Sequence, residues 1–444
     1  MRALTILGSL VVLLVSAAPS DAASRTVTLR YGPVAMGGFN VEFPKSVVRS
    51  PGVDGYVTEM SVRLVDAAGR PVTIRDVMLH HVVFFQGRAT PVRDRCGTRG
   101  SEAFYGTGEE NQALRLPTGY GYPVRRGSRW SMHAMLMSHS MGARNVYVQY
   151  RVRVVTGRRL TPVRPFWVRA SGCSVTYPVW GGGGAESTHR RTSRWRVPVS
   201  GRIVAAGGHL HGGAKDMWLA QPRCDGRRLI RTAPRFGMPD HLYYRARPIL
   251  HEPGPIETGY VLSRTGIPVR RGETLTITGA YDNSDPHPRV MSIMHVYIAP
   301  ERAAGRRCPR LPDDARATFR HRRVRTEPPA IKVPLNVLAE NGRTRVMGEP
   351  PWRARELADG GTVRLRAFRF SPPHIVVKSG ATIKWSFDDA APHNLTFANG
   401  PRLIRGPTLS GGRRYSTEFT VPGRYELFCY LHPVTMHEVV DVQE

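Results

Sequence analysis

From residue 26 to about residue 300, apolar and polar residues alternate in short runs at 26–30, 57–65, 146–155, 195–205, 274–280 and 291–298. Turns rich in Gly, Pro and Asp separate the runs. A period of two gives each run one apolar face, and many short runs at this spacing are the pattern of antiparallel β-sandwiches. Helical periodicity is nearly absent. The stretch is long for one sandwich and breaks at the Pro/Gly-rich residues 158–184, so two sandwiches in tandem are expected, over 23–157 and 158–300. The tetraglycine Gly181-Gly182-Gly183-Gly184 reads as a flexible hinge. Residues 301–355, rich in Arg and Pro with few alternating apolar positions, read as a linker. Alternation returns at 362–370, 375–377, 382–387, 415–420, 425–429 and 438–442, which predicts a compact Greek-key sandwich over 356–444. The expected fold class is therefore all-β, with no internal repeat.

The first 22 residues have a different pattern: Met1-Arg2, an apolar run over 3–18, then Pro19-Ser20-Asp21-Ala22. A short positive region, an apolar core and small residues at a cleavage point make a signal peptide. The run is shorter than the ~20 apolar residues that span a bilayer. The mature protein is expected to be secreted or extracytoplasmic, with an uncleaved N-terminal anchor as the alternative. Cys96, Cys173, Cys224 and Cys308 agree with export: they are scattered, lack the paired spacing of a zinc site, and point to disulfides with three pairings open.

The formal net charge is +30, yet Lys occurs only at 45, 215, 332, 378 and 384, so Arg carries almost all of the positive charge. Nucleic-acid binders cluster basic residues on one element with aromatics interleaved. Here the Arg residues are spread over nearly every run, so no nucleic-acid partner is expected. A basic surface favours association with an anionic cell envelope. The scattered Asp and Glu, the lack of a Gly-x-Ser-x-Gly elbow, and Ala-Glu-Ser after the tetraglycine in place of a phosphate-loop Lys leave hydrolase and nucleotide chemistry without support.

The strongest chemical signal is Cys429-Tyr430-Leu431-His432-Pro433-Val434-Thr435-Met436, with His393 upstream in Ala391-Pro392-His393-Asn394. One thiolate, two imidazoles and a thioether are the ligands of a blue (type 1) copper site. Cys429 ends a strand, the following loop can return His432 and Met436 to the same ion, and His393 arrives from a neighbouring strand end. Asn394 is placed to brace the ligand loop. Zinc suits this set less, because a thioether is a poor zinc ligand. The segment resembles the plastocyanin-like cupredoxins, from Phe370-Ser371-Pro372 through Gly423-Arg424-Tyr425-Glu426-Leu427-Phe428-Cys429. A centre of this kind transfers single electrons or holds copper.

Histidines recur in the first 300 residues: His80-His81, His133 and His139, and His209-Leu210-His211, followed by Met291. His209 and His211 share one face of a strand. His80 and His81 are adjacent, so they can share a metal only with a bulge or through different ring nitrogens. In this order the motifs resemble those of the copper type II, ascorbate-dependent monooxygenases, whose core is two jelly-roll sandwiches with one copper each. The resemblance implies two further, type 2 coppers. His80 and His81 would hold an electron-transferring copper, with His133 as first choice and His139 as second choice for the third ligand. His209, His211 and Met291 would hold the copper where O₂ binds and C–H hydroxylation takes place. His295 stands where the peptide hydroxylases have a substrate-binding Tyr, so a glycine-extended peptide substrate does not carry over. The expected function is a secreted copper redox protein, with a blue-copper domain joined to a monooxygenase-like core. Its partners would be O₂ and an electron donor or acceptor protein or small reductant, and the tethered blue-copper domain could itself feed the core. The alternative is a non-catalytic copper-binding or electron-carrier protein of the envelope.

Overall fold

A computed structural model of the chain describes residues 23–37, 41–87, 101–140, 142–246, 251–302, 308–329, 331, 336–338, 344–346, 353–432 and 435–444. The signal-peptide segment and Cys96 lie outside the described residues. The described residues are all-β, 57% strand and 2% helix. Among the described residues, no helix is long and apolar enough to cross a membrane.

The first sandwich packs two sheets face to face. One runs in the order Ala23–Met36, Arg144–Thr156, Gly55–Val65, Tyr120–Val124, and the other in the order Val41–Glu42, Trp130–Ser138, Val77–Gly87, Ser101–Gly108. Alternation decides which side chains are inside: Val148, Tyr150, Val152 and Val154 are buried, while Arg151 and Arg153 between them are exposed. Each buried aliphatic contributes roughly 1.5–3 kcal/mol, and the basic residues stay on the wet face.

In the second sandwich, a sheet in the order Arg164–Arg169, Ser292–Pro300, Gly201–Leu210, Tyr260–Val269 lies over one in the order Thr188–Arg196, Thr274–Asp282, Ala214–Gln221, Arg227–Arg231. The two sandwiches are joined at a polar and apolar interface. Val204, Ala205, Tyr260 and Tyr297 of the second belong to the core of the first. The Tyr297 hydroxyl donates to the Phe104 carbonyl at 2.9 Å, and the Tyr260 hydroxyl to the Arg115 carbonyl at 2.9 Å.

Part of the expected linker is fastened to the second sandwich. Cys308 forms a disulfide with Cys224, and Ala317–Thr318 adds a short strand beside Tyr260–Val269. The Asp314 carboxylate accepts from the Ser263 hydroxyl at 2.6 Å and the Arg264 amide at 2.8 Å. Besides the disulfide and the hydrogen bonds, Leu311, Ala315 and Ala317 pack against the second core, too few apolar positions to show as alternation.

The third sandwich has one sheet in the order Arg355–Glu356, His374–Lys378, His437–Gln443, Gly423–Phe428, Thr396–Asn399 and another in the order Arg369–Ser371, Thr362–Arg366, Ala381–Phe387, Arg413–Phe419. Trp385, Phe387, Ile383, Leu365 and Leu427 fill its centre.

The tetraglycine joins the second and third sandwiches and does not hang free as a hinge. Gly181 forms a backbone bridge with Arg402, and the Leu403 amide donates to the Trp180 carbonyl at 2.7 Å. On its other side, the Gly182 and Gly183 amides donate to the Ser284 and Asn283 carbonyls at 3.2 and 2.9 Å. Gly181 has φ +72, and a Cβ there would come within 2.6 Å of both Pro286 N and Pro401 O. Only glycine lets the two backbones close on it.

Candidate metal centres

The turn from Cys429 to Met436 folds on itself. The His432 amide donates to the Cys429 carbonyl, the Met436 amide to the His432 carbonyl, and the Cys429 amide to the Met436 carbonyl, each at 3.1 Å. His393 is fixed between strands by two 2.8 Å backbone hydrogen bonds with Leu409. One donor atom each from His393, Cys429 and His432 lie within 4.8 Å of one another. The two imidazole Nδ1 atoms are 3.0 Å apart, and Cys429 Sγ is 3.6 Å from His432 Nδ1. With metal–nitrogen bonds of about 2.0–2.1 Å and metal–sulfur bonds of about 2.3 Å, donors on one ion stand about 3–4 Å apart. The donor set therefore fits a copper ion. Met436 is fully buried and packs in the same core as Cys429, and Pro433 and Val434 lie outside the described residues.

The surroundings fix the donors. His393 Nε2 is 2.9 Å from Asp389 Oδ2; when it donates there, Nδ1 is left with the lone pair that faces Cys429 and His432. Burial pushes the Asp389 carboxyl up, but hydrogen bonds from His393 and from the Ala367 and Phe368 amides outweigh it and hold the group below its ordinary range. Those two amides belong to left-handed residues, at φ +52 and +56, so Asp389 also shapes the turn that carries Phe368. The Phe368 ring lies 4.7 Å from that of His432. Phe368, Tyr430 and Leu431 are exposed and leave an apolar face beside the ligand loop. Asn394 holds the loop as its position anticipates: its amide donates to Cys429 Sγ at 3.4 Å, and its Oδ1 accepts from the Tyr430 amide at 2.9 Å. Asp389 and Phe368 carry no signal of their own in the sequence.

A second concentration of histidines lies where the first two sandwiches meet. The strand Val77–Gly87 has a register shift against Trp130–Ser138 between Leu79 and His81. This bulge brings adjacent imidazoles together, with His80 Nδ1 and His81 Nδ1 3.0 Å apart. His209 and His211 approach from the end of Gly201–Leu210, with ring centroids 5.1 Å apart. The His80 ring is 5.5 Å from that of His211 and 4.9 Å from that of His251. The two histidine pairs therefore lie in one cluster. A Cβ on Gly108 would fall 2.4 Å from the His209 ring, so glycine there lets the sandwiches approach.

Hydrogen bonds orient these rings. His211 Nδ1 donates to the Arg289 carbonyl at 2.8 Å, and His209 Nδ1 stands 3.1 Å from Glu110 Oε2. Their Nε2 atoms are buried and have no hydrogen-bond partner. A ring fixed through one nitrogen with the other buried and free is the arrangement of a metal-ligating histidine. Burial first, and then neighbouring imidazoles, hold His80 and His211 well below the ordinary histidine range, while burial pushes His81 down to about 4. His209 is the exception: burial opposes its protonation, but the Glu110 carboxylate wins and raises it.

The remaining candidates divide. His139, just past the end of Trp130–Ser138, is buried; its Nδ1 donates to the Ile74 carbonyl at 2.7 Å, and its ring lies 6.5 Å from that of His251. His133 is exposed and packs on Phe85 at 4.7 Å; it pairs with Val83, further along the same strand than the Met135 that pairs with His81. Met291 directly precedes Ser292–Pro300, one step beyond the Leu210–Ser292 pair and so opposite His211. Its carbonyl accepts from the Tyr281 hydroxyl. The His295 ring lies 4.1 Å from that of Trp167 and is tilted against it by 33°. Glu109, Glu110 and His251 belong to the cluster but stand in no motif of the sequence.

Comparison with known proteins identifies the C-terminal part. A family model described as copper binding proteins, plastocyanin/azurin family, matches residues 361–443. Amicyanin-alpha of Methylorubrum extorquens is 33% identical over 90 residues, covering 19% of this chain and 76% of that protein. Amicyanin of Paracoccus denitrificans is 32% identical over 102 residues, 22% of this chain and 78% of that protein. A solved structure of a Cu(I) amicyanin variant aligns at 34% identity over 20% of this chain and 86% of that one, with a TM-score of 0.18.

Proposed function

The chain belongs, through its C-terminal domain, to the plastocyanin/azurin family of copper-binding proteins, and from this premise we propose that it is an extracytoplasmic electron-transfer protein with a type 1 copper bound by His393, Cys429, His432 and Met436. The observation that carries this reading is the convergence of two imidazoles and a thiolate within 4.8 Å inside the family-matched segment. Copper bound there would supply a one-electron couple. The chain's own residues would do the rest: Asp389 sets the tautomer of His393, Asn394 holds the Cys429 sulfur, and the Met436 thioether would be a weak ligand that tunes the potential. The face formed by Phe368, Tyr430 and Leu431 is where an electron donor or acceptor protein docks. Copper-loaded protein should show an intense visible absorption from thiolate-to-copper charge transfer. Cys429→Ser should abolish it while the domain stays folded. A colourless oxidised copper form of the unaltered protein refutes the assignment.

A second reading concerns the histidine cluster, favoured by the orphaned Nε2 atoms of His209 and His211. In it, His80 and His81 with His139, and His209 and His211 with Met291, hold further copper, and the core hydroxylates C–H bonds with O₂ as the monooxygenase resemblance implies. The competing assignment is an envelope copper-binding or carrier protein without turnover. Copper content with EPR spectra separates them: non-blue copper lost in His209→Ala, together with O₂-dependent turnover, supports the enzyme, and blue copper alone supports the carrier.

A further inference from the structure

We propose that His80, Glu109 and His251 form a metal site that ties the first sandwich to the second, built from two imidazoles and one carboxylate. It rests on reading the histidine cluster as a metal centre and does not need hydroxylation chemistry. His80 comes from the bulge in Val77–Gly87. Glu109 directly follows Ser101–Gly108, and His251 lies in the second sandwich between Leu242–Arg245 and Tyr260–Val269.

The donor atoms of the three residues lie within 4.8 Å of one another. Glu109 Oε1 is 2.8 Å from His251 Nε2 and 3.7 Å from His80 Nε2. The second distance is beyond a hydrogen bond, yet within the ~4 Å that separates two donors on one ion with bonds of about 2.0–2.2 Å. The other carboxylate oxygen is already committed, accepting from the Gly254 amide at 2.7 Å. The Glu109 carbonyl accepts from the Tyr243 hydroxyl at 2.5 Å. These anchors aim Oε1 into the gap between the two imidazoles.

Glu109 and His80 are only 6% and 8% exposed. A buried carboxylate needs a cation beside it. A divalent ion meets that need for the whole trio, whereas a proton on His251 leaves His80 Nε2 facing the carboxylate without a bond. Two imidazoles and a carboxylate suit a divalent first-row transition ion, and the stability order of such ions places Cu(II) highest. Because the ligands come from two sandwiches, the ion would also clamp the interface.

The test is a Cu(II) titration of the full chain after chelator treatment, reading copper per chain, the visible absorption and the Cu(II) EPR spectrum. Glu109→Gln keeps the shape and the Gly254 contact; His251→Gln removes the second-sandwich ligand. Each variant should bind one copper fewer per chain, retain the blue absorption, and lose the copper-induced rise in core melting temperature. If both variants keep the full copper content while His209→Ala or His211→Ala loses an ion, the trio is not the site, although the cluster still binds metal. If none of the four variants changes copper content, the trio and the metal reading of the cluster fall together. Folding of each metal-free variant is checked by circular dichroism, and Glu109→Gln alone decides the matter if His251→Gln fails to fold.

Discussion

Replacing Gly181 with Ala should release the third sandwich from the second without unfolding either. The methyl group would stand 2.6 Å from Pro286 N on one side and 2.6 Å from Pro401 O on the other, both backbone atoms that cannot swing aside. An L-residue held in the left-handed region costs roughly 1–2 kcal/mol, and overpacking adds about 1–3 kcal/mol, so the seam weakens by about 2–5 kcal/mol in total. At about 1.4 kcal/mol per tenfold change, that shifts the docked-to-free ratio by at least about 25-fold. Gly184→Ala is the matched control: it has φ +81 but nothing within 4 Å, so it carries the conformational strain alone. Small-angle scattering of the full chain should show a larger radius of gyration for Gly181→Ala than for Gly184→Ala. Limited proteolysis between residues 326 and 353 should be faster, with the copper-loaded visible spectrum unchanged. If the two variants scatter and cleave alike, the seam does not hold the domain in place.

Other expectations concern stability. Replacing Cys224 and Cys308 together with Ser opens a cross-link between residues 84 apart, for which chain entropy gives an upper value of about 4–5 kcal/mol. The melting temperature of the core should fall and that of the third sandwich should stay; equal melting of both forms refutes a stabilising role. Asp441 accepts from Arg424 Nε at 2.8 Å and pairs with His374 Nε2 at 2.9 Å. The Arg424 hydrogen bond, more than partial burial opposes, holds its carboxyl below the ordinary range. A depressed carboxylate stabilises the fold above its unfolded pKa of about 3.9 and loses that contribution as pH falls through the lower folded value. Asp441→Asn should therefore cost on the order of 1 kcal/mol at neutral pH and nearly nothing toward about pH 2. A difference that does not change with pH, followed by chemical denaturation, would count against this pair.

What the sequence discloses depends on how local the cause is. Three of the four proposed blue-site positions lie on the turn from Cys429 to Met436, which closes on itself through backbone hydrogen bonds, so chain spacing alone suggests them. Asn394 is legible for the same reason, being next to His393. The bulge at His80 is one of the two arrangements, different ring nitrogens being the other, that let neighbouring imidazoles share an ion. By contrast, Glu109 meets His251 and Glu110 meets His209 only when two sandwiches dock, and no periodic pattern records a docking geometry. His133 and His139 share strand parity, yet the first is exposed and the second buried; parity cannot foresee that. The tetraglycine misleads in the opposite direction. Glycine is needed both where a chain flexes and where backbones crowd together, and composition does not tell these apart.

The seam also gives the molecule a polarity. Pro401 packs beside Gly423, where the strand Gly423–Phe428 begins, whereas Cys429 follows its far end, about 20 Å away at ~3.3 Å per residue. The second sandwich thus grips the pole opposite the ligand loop, and the apolar face around Phe368 and Leu431 points outward like a terminal on a mount. In the proposed electron-transfer role, a partner protein would reach that face by diffusion. A formal charge of +30 would speed the approach of an acidic partner at low ionic strength, an advantage that fades as salt shortens the Debye length to about 8 Å near 0.15 M.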